Sequence, residues 1–320
     1  MKFTAPLHAF THWEKVTPDQ QMFNQPFAKG SIKMSYQEVG VEIRKMAHAL
    51  VLLGYAPKTR IALLSKNCSH WIMADLAIQM AGHISVPIYP TINANSIAEI
   101  MAHSESKAVI VGKLDNYEAQ KAGLEGYTRI GVKAYGVEEK LNWEDMVAQN
   151  EALTEVPDQK AEDLLTIMYT SGTTGAPKGV MHSVGSFNAV TNTAVSAIEL
   201  KVNKPNFFSY LPLTHIAERI GVEMFGLYQG GNFSFPFSLE TFADDLATTQ
   251  PDLFFAVPRI WTKFQDNILN TIPQKKLDLL LSIPILNNII RKKIKKKLGL
   301  LHTQAIFTGA APIAISQLIW

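Results

Sequence analysis

Apolar positions along this chain switch between short solid runs and stripes of helical spacing. From Ser35 to Leu53, the apolar residues Val39, Ile43, Met46, Ala47, Leu50 and Leu53 recur at helical intervals, which predicts a helix closed by Gly54. Ile61 to Ser65, Val86 to Pro90 and Ala108 to Gly112 read as buried strands, with helices over Trp71 to Met80 and Ser96 to Ser104 between them. The same alternation returns downstream. Strands are predicted over Leu164 to Tyr169, Asn206 to Leu211, Phe233 to Phe237, Asp252 to Val257 and Gln304 to Thr308. Helices are predicted over Val180 to Ile198, Ile216 to Tyr228 and Leu239 to Thr248. Such alternation argues for an α/β fold on a doubly wound sheet. Three stretches fall outside it. The first thirty residues are mixed, with Trp13, Phe23 and Phe27 expected to pack on a surface; Lys113 to Gly136 is polar and broken by glycines; Val137 to Glu155 reads as a surface insert.

The stretch around which the rest is arranged is Tyr169-Thr170-Ser171-Gly172-Thr173-Thr174-Gly175-Ala176-Pro177-Lys178-Gly179. Read as strand, then small-residue loop, then helix, it has the layout of an anion-binding turn. Gly172 and Gly175 let backbone approach a ligand closely. The hydroxyls of Thr170, Ser171, Thr173 and Thr174 offer donors to phosphate oxygens, and Lys178 adds a point charge. A Walker A loop needs Gly-Lys-Ser/Thr, whereas Lys178 stands between Pro177 and Gly179, which disfavours a P-loop kinase. A flexible linker is the bland alternative, disfavoured by the buried-strand pattern directly upstream.

These eleven residues resemble the signature of the AMP-forming adenylating enzymes: acyl-CoA synthetases, luciferase-like enzymes and peptide-synthetase adenylation domains. Met34 to Val39 and the Gly82 to Pro87 turn are similar to other parts of that superfamily. Leu211-Pro212-Leu213-Thr214-His215-Ile216-Ala217-Glu218-Arg219 resembles the form seen in long-chain acyl-CoA synthetases, as does Val257-Pro258-Arg259-Ile260-Trp261. Gly309-Ala310-Ala311-Pro312 resembles the loop on the adenine side. The resemblance implies ATP-dependent activation of a fatty acid to an acyl-adenylate, then thioester formation with coenzyme A. It places Lys178 and His215 in catalysis and puts Thr170, Ser171, Gly172, Thr173, Thr174, Gly175 and Lys178 on the phosphates. Gly309, Ala310, Ala311 and Pro312 then lie against adenine, and Thr170 lies nearest Mg2+. For His215 a structural role is the alternative; for Arg259 a helix start; for Glu218 and Arg219 a mutual or structural ion pair.

The resemblance further implies a large N-terminal adenylating domain of stacked doubly wound sheets. Residues 1–160 would form a first α/β subdomain and 161–320 a nucleotide-binding one. The superfamily's Tyr-Gly-x-Thr-Glu motif, ribose-binding Asp, hinge and small C-terminal domain are not found before Trp320. On this reading the polypeptide is the first half to three-fifths of a synthetase, inactive alone. A ligase for another carboxylic acid, or a non-catalytic nucleotide-binding fragment or paralogue, are the alternatives.

Charge and cysteine change the picture little. With 30 basic against 28 acidic residues no nucleic-acid partner is implied, and the single Cys68 rules out an intramolecular disulfide or a multi-cysteine zinc site. The N-terminus lacks a signal peptide's apolar core and no stretch approaches the roughly 20 apolar residues of a membrane span, so a cytoplasmic location is expected. One local feature stands apart: Ile285 to Leu301 sets Ile285, Ile289, Ile290, Ile294, Leu298 and Leu301 at helical spacing beside Arg291-Lys292-Lys293 and Lys295-Lys296-Lys297. This predicts a helix with one packed apolar face and either a solvated basic face or a peripheral contact with anionic lipid. The oligomeric state is left open.

Overall fold

The computed structural model describes residues 2–170 and 177–319. In chain order the strands are β1 (Gln21–Pro26), β2 (Ser31–Ser35), β3 (Arg60–Leu64), β4 (Ile84–Ile88), β5 (Ala108–Val111), β6 (Thr128–Gly131) and β7 (Leu141–Asn142). They continue as β8 (Leu164–Thr170), β9 (Lys178–Ser183), β10 (Asn206–Phe208), β11 (Asn232–Ser234), β12 (Leu253–Ala256) and β13 (Ala305–Thr308). The chain divides into two compact units, residues 1–197 with 209–235, and residues 198–208 with 236–320.

The first unit is built on a seven-stranded sheet of order β7-β6-β5-β3-β4-β8-β9, in which every neighbouring pair is parallel except β8 with β9. From β3 the chain steps one way to β4, then to β5, β6 and β7 on the other side, so the strand order reverses at β3. Open α/β sheets take ligands outside the carboxyl ends of their strands at such a reversal. Ile61, Ala62, Leu63 and Leu64 of β3 are all buried, as a central parallel strand covered on both faces requires. The Ser69–Met80 helix is buried nearly all round and packs on β3, β4, β1 and the Tyr36–Leu52 helix. That last helix opens as its sequence predicts: the Ser35 hydroxyl accepts from the Glu38 N–H at 3.2 Å, and the Ser35 N–H donates to Glu38 Oε2 at 2.7 Å.

Several expectations are corrected here. The N-terminal thirty residues form a helix, Pro6–Val16, and strand β1, which pairs antiparallel with the β2 that follows, with Phe23 fully buried against Phe233 and Phe235 instead of lying on a surface. The stretch read as a polar region and surface insert supplies β6 and β7 to the sheet, and Trp143 is buried with its indole N–H donating to Glu42 at 2.7 Å. Strands of two to four residues carry too few positions for a readable period. The helix predicted from Val180 starts at Val184, because residues 178–183 pair with β8 as a sheet edge. The helix predicted over Ile216 to Tyr228 is interrupted, its Arg219–Met224 stretch being a π-helix.

In the second unit β12 runs parallel to both β10 and β13. Among its described residues are five helices, Phe242–Thr249, Pro258–Thr271, Gln274–Ser282, Pro284–Lys297 and the short Ile315–Ile319. Pro258 and Pro284 each occupy the first helical turn, where the missing N–H costs nothing. An apolar cavity of about 370 Å³ lies among them, lined by Leu246, Phe264, Ile268, Ile290, Ile294 and Leu298.

Candidate functional site

The signature stretch closes an antiparallel pair, with Tyr169 opposite Gly179 and Thr170 opposite Lys178. The expected order of strand, loop and helix is corrected: the described residues on either side of the stretch are two paired strands, and the helix begins at Val184, after β9. The described ends of the stretch offer an exposed Thr170 hydroxyl and an exposed Lys178 ammonium on adjacent strands. Ser171, Gly172, Thr173, Thr174 and Gly175 lie outside the described residues. The base of the turn is held firmly. Tyr169 is buried, its hydroxyl 2.7 Å from His103 Nδ1 on the Ala94–His103 helix. A Cβ on Gly179 would come 2.8 Å from Ile167 Cγ2 and 3.1 Å from the Tyr169 ring, so glycine is what lets β9 pass over that ring.

His215 caps the short helix that follows it. Its backbone N–H donates to Pro212 O at 2.8 Å, and its Nδ1 accepts from the Ala217 N–H at 3.2 Å. A neutral imidazole accepting at Nδ1 carries its proton on Nε2, and that donor is on an exposed side chain. The turn bearing His215 is fastened by Asn67, which lies just beyond the carboxyl end of β3. The Asn67 amide donates to Ser209 Oγ at 2.8 Å and Leu211 O at 2.6 Å, while its Oδ1 accepts from the Leu213 N–H at 3.2 Å. Sequence spacing gives Asn67 no role, since an asparagine ties its partners through distant contacts that spacing cannot reveal. Thr170 ends β8, and β3, β4 and β8 are consecutive parallel strands. The anchor of the His215 turn and the Thr170–Lys178 pair thus share one carboxyl edge, roughly 10 Å apart at two strand spacings.

Behind this edge sits a buried polar cluster. Glu218 does not pair with Arg219. Its Oε1 accepts from Ser209 Oγ at 2.9 Å and from the Tyr210 N–H at 3.0 Å. Arg219 turns instead to Asp75 Oδ1 at 2.7 Å and Glu223 Oε2 at 3.4 Å, with its guanidinium over the Trp71 and Phe187 rings. All four charged residues are wholly buried. The alternative of a structural ion pair is the one realised for Arg219, with partners remote in sequence or one helical turn on. Burial pushes the Glu218 carboxyl up to about 8 against its two hydrogen bonds, and pushes Glu223 up to about 8 against the pull of Arg219.

A sign follows for stability. A carboxyl with an ordinary value of 4.5 and a folded value near 8 holds its proton in the native state over that interval, so folding stability is full below 4.5 and falls as pH rises towards 8. The urea midpoint should drop between pH 6 and pH 8 by a few kcal/mol equivalent, then level off. Glu218→Gln with Glu223→Gln should flatten that drop. A midpoint that climbs over the same range would disprove the protonated pair.

In the second unit, the Gly309–Pro312 loop leaves the carboxyl end of β13, beside the end of β12 that runs into the Pro258–Thr271 helix. A Cβ at Gly309 would stand 3.3 Å from the Phe255 ring, and Ala310 holds a left-handed φ of +65°. A non-glycine residue in that region stores roughly 1 kcal/mol or more of strain, which tends to collect where loops meet ligands. Arg259, second in its helix, is exposed and forms no ion pair among the described residues. Among the described residues there is also no cluster of three or more His, Cys, Asp or Glu able to hold a metal.

A family model for AMP-binding enzymes matches residues 10–318. The chain belongs to that family. Long chain acyl-CoA synthetase 4 of Arabidopsis thaliana is 28% identical over 321 residues, an alignment covering 88% of this chain and 48% of that protein. The chain spans about half the length of the curated relatives it matches. Among solved structures, the N-terminal domain of FACL13 from Mycobacterium tuberculosis superposes with a TM-score of 0.77 at 22% identity, covering all of this chain and 72% of that one. A fatty acyl-adenylate ligase from L. pneumophila, solved with acyl adenylate and pyrophosphate, gives 0.73 at 19% identity, covering 99% and 51%. The adenylating fold of this AMP-binding chain is thereby established.

Proposed function

We propose that the chain carries the adenylation site of a long-chain fatty-acid–CoA ligase. The observation that bears most weight is the His215 turn, whose Leu-Pro-Leu-Thr-His-Ile-Ala-Glu-Arg sequence is fastened by Asn67 to the sheet edge that also presents Thr170 and Lys178. The similarity to long-chain acyl-CoA synthetases supports the choice of acid.

In this reading a carboxylate oxygen attacks the α-phosphorus of ATP, the bond to the β-phosphate oxygen breaks, and pyrophosphate leaves. Two anions must meet, so the protein's task is positioning and charge neutralisation. Lys178 and the donors of Thr170 to Gly175 take the departing phosphates, and the Nε2–H of His215 donates to the carboxylate and α-phosphate. Thr170 offers one hard oxygen, which suits a magnesium ion that arrives on the nucleotide phosphates and takes few protein ligands. The thiol of coenzyme A then attacks the acyl carbonyl and AMP departs.

Carboxylate-dependent ATP–pyrophosphate exchange tests this, run with acetate, octanoate, benzoate and palmitate on this chain and on any longer product of the same gene. Exchange confined to palmitate supports the reading. Exchange with benzoate or acetate alone replaces the acid, and ATP binding without exchange in either preparation leaves a non-catalytic nucleotide-binding protein.

A further inference from the structure

We propose that the helical hairpin Gln274–Lys297 docks the protein on an anionic lipid surface. The inference does not depend on the ligase reading. The hairpin holds eight basic residues against one acidic residue, Asp278, a net +7. The whole chain carries only +2, so everything outside the hairpin sums to −5. None of the eight cations forms an ion pair among the described residues. All eight side chains are exposed, and of them Lys293 and Lys297 also line the cavity of the second unit.

The apolar residues of the hairpin are divided between two surroundings. Ile290, Ile294 and Leu298 face the cavity of the second unit, half-buried. Leu279, Ile283, Ile285 and Ile289 do not: their exposures are 64%, 41%, 76% and 56%. The packed apolar face expected from the sequence is therefore only partly packed, and no residue of the Pro284–Lys297 helix is fully buried. These four side chains flank the turn at Ile283, where Pro284 forbids one helix from running into the next. An apolar tip flanked by lysines is the pattern of a segment lying in a bilayer interface, with branched side chains among the acyl groups and ammonium groups on phosphate and carboxylate headgroups. No helix among the described residues is long and apolar enough to cross a membrane, so the contact is peripheral.

Charge decides between occupants. A second copy of the chain would set +7 against +7, which opposes self-association through this surface. Nucleic acid would satisfy the lysines and leave four exposed aliphatic side chains in water. An anionic bilayer satisfies both sets.

The test is co-sedimentation of the protein with vesicles of phosphatidylcholine alone and of phosphatidylcholine with phosphatidylserine. Binding to the anionic vesicles should exceed binding to the neutral ones by at least about tenfold and weaken as salt is raised. Ile285→Ser with Ile289→Ser should lower anionic-vesicle affinity about fivefold or more while thermal unfolding stays unchanged, because both side chains are already in water. Lys292→Glu with Lys296→Glu should remove binding. Equal pelleting with both vesicle types, no pelleting with either, or full affinity in the serine variant overturns the proposal. Concentration-dependent dimerisation abolished by the serine variant, without vesicle binding, would make the surface a self-interface instead.

Discussion

Arg219→Met should cost about 3–5 kcal/mol of folding stability, the penalty for leaving a buried charge without its partner. The guanidinium is wholly buried, bonds Asp75 at 2.7 Å and lies over Trp71 and Phe187. Methionine fills much of the volume but leaves the Asp75 carboxyl with only the Gln79 amide, 2.6 Å away, as a neutral partner. Against a typical domain stability of roughly 5–15 kcal/mol, that loss should appear as a large fall in urea midpoint or in soluble yield. Arg219→Lys should rescue little, since an ammonium cannot reproduce the planar fork or its stacking. Asp75→Asn combined with Arg219→Met should recover most of the loss, because removing both partners leaves no orphaned charge. A single Arg219→Met variant within about 1 kcal/mol of the parent would refute the cluster as a structural keystone.

Lys178→Ala should lower ATP–pyrophosphate exchange about 10²- to 10³-fold, the usual effect of removing one aligned group from a developing charge. Unlike Arg219, Lys178 is exposed and unpaired among the described residues, so its unfolding transition should stay where it is. His215 requires more care because it is also a helix cap. Alanine there would remove a cap worth about 1 kcal/mol together with the imidazole. His215→Asn keeps a capping acceptor and loses the Nε2–H, so it isolates the chemistry. Exchange should fall about tenfold to a hundredfold with nucleotide affinity kept. Wild-type exchange in Lys178→Ala would remove the phosphate role from this turn; wild-type exchange in His215→Asn would leave His215 with its capping role alone.

Much of the fold was legible in local pattern. The solid runs at Ile61, Val86, Ala108 and Leu164 became the central strands β3, β4, β5 and β8, because strands buried on both faces must be apolar at every position. The Ser35 helix start followed from a capping pair three residues apart. The outer strands of the sheet were not legible: β6, β7 and β9 owe their existence to partners already in place. Likewise Val180 and Met181, apolar but exposed on the edge strand, suited a helical stripe as well as a strand.

By itself, then, the sequence determined the family, the α/β class, the eleven-residue signature from Tyr169 to Gly179 and the concentration of positive charge after Gln274, because each of these is written in residues close together along the chain. Only the tertiary structure decided that the two ends of this signature are paired antiparallel strands, that Asn67 holds the His215 turn to the sheet edge, and that Arg219 pairs with Asp75, 144 residues away. It also decided which isoleucines of the basic helix are left in water. The physical reason is the same in each case. Burial, pairing and desolvation depend on what the rest of the chain brings into contact, and a side chain carries no local mark of a partner so far along the sequence.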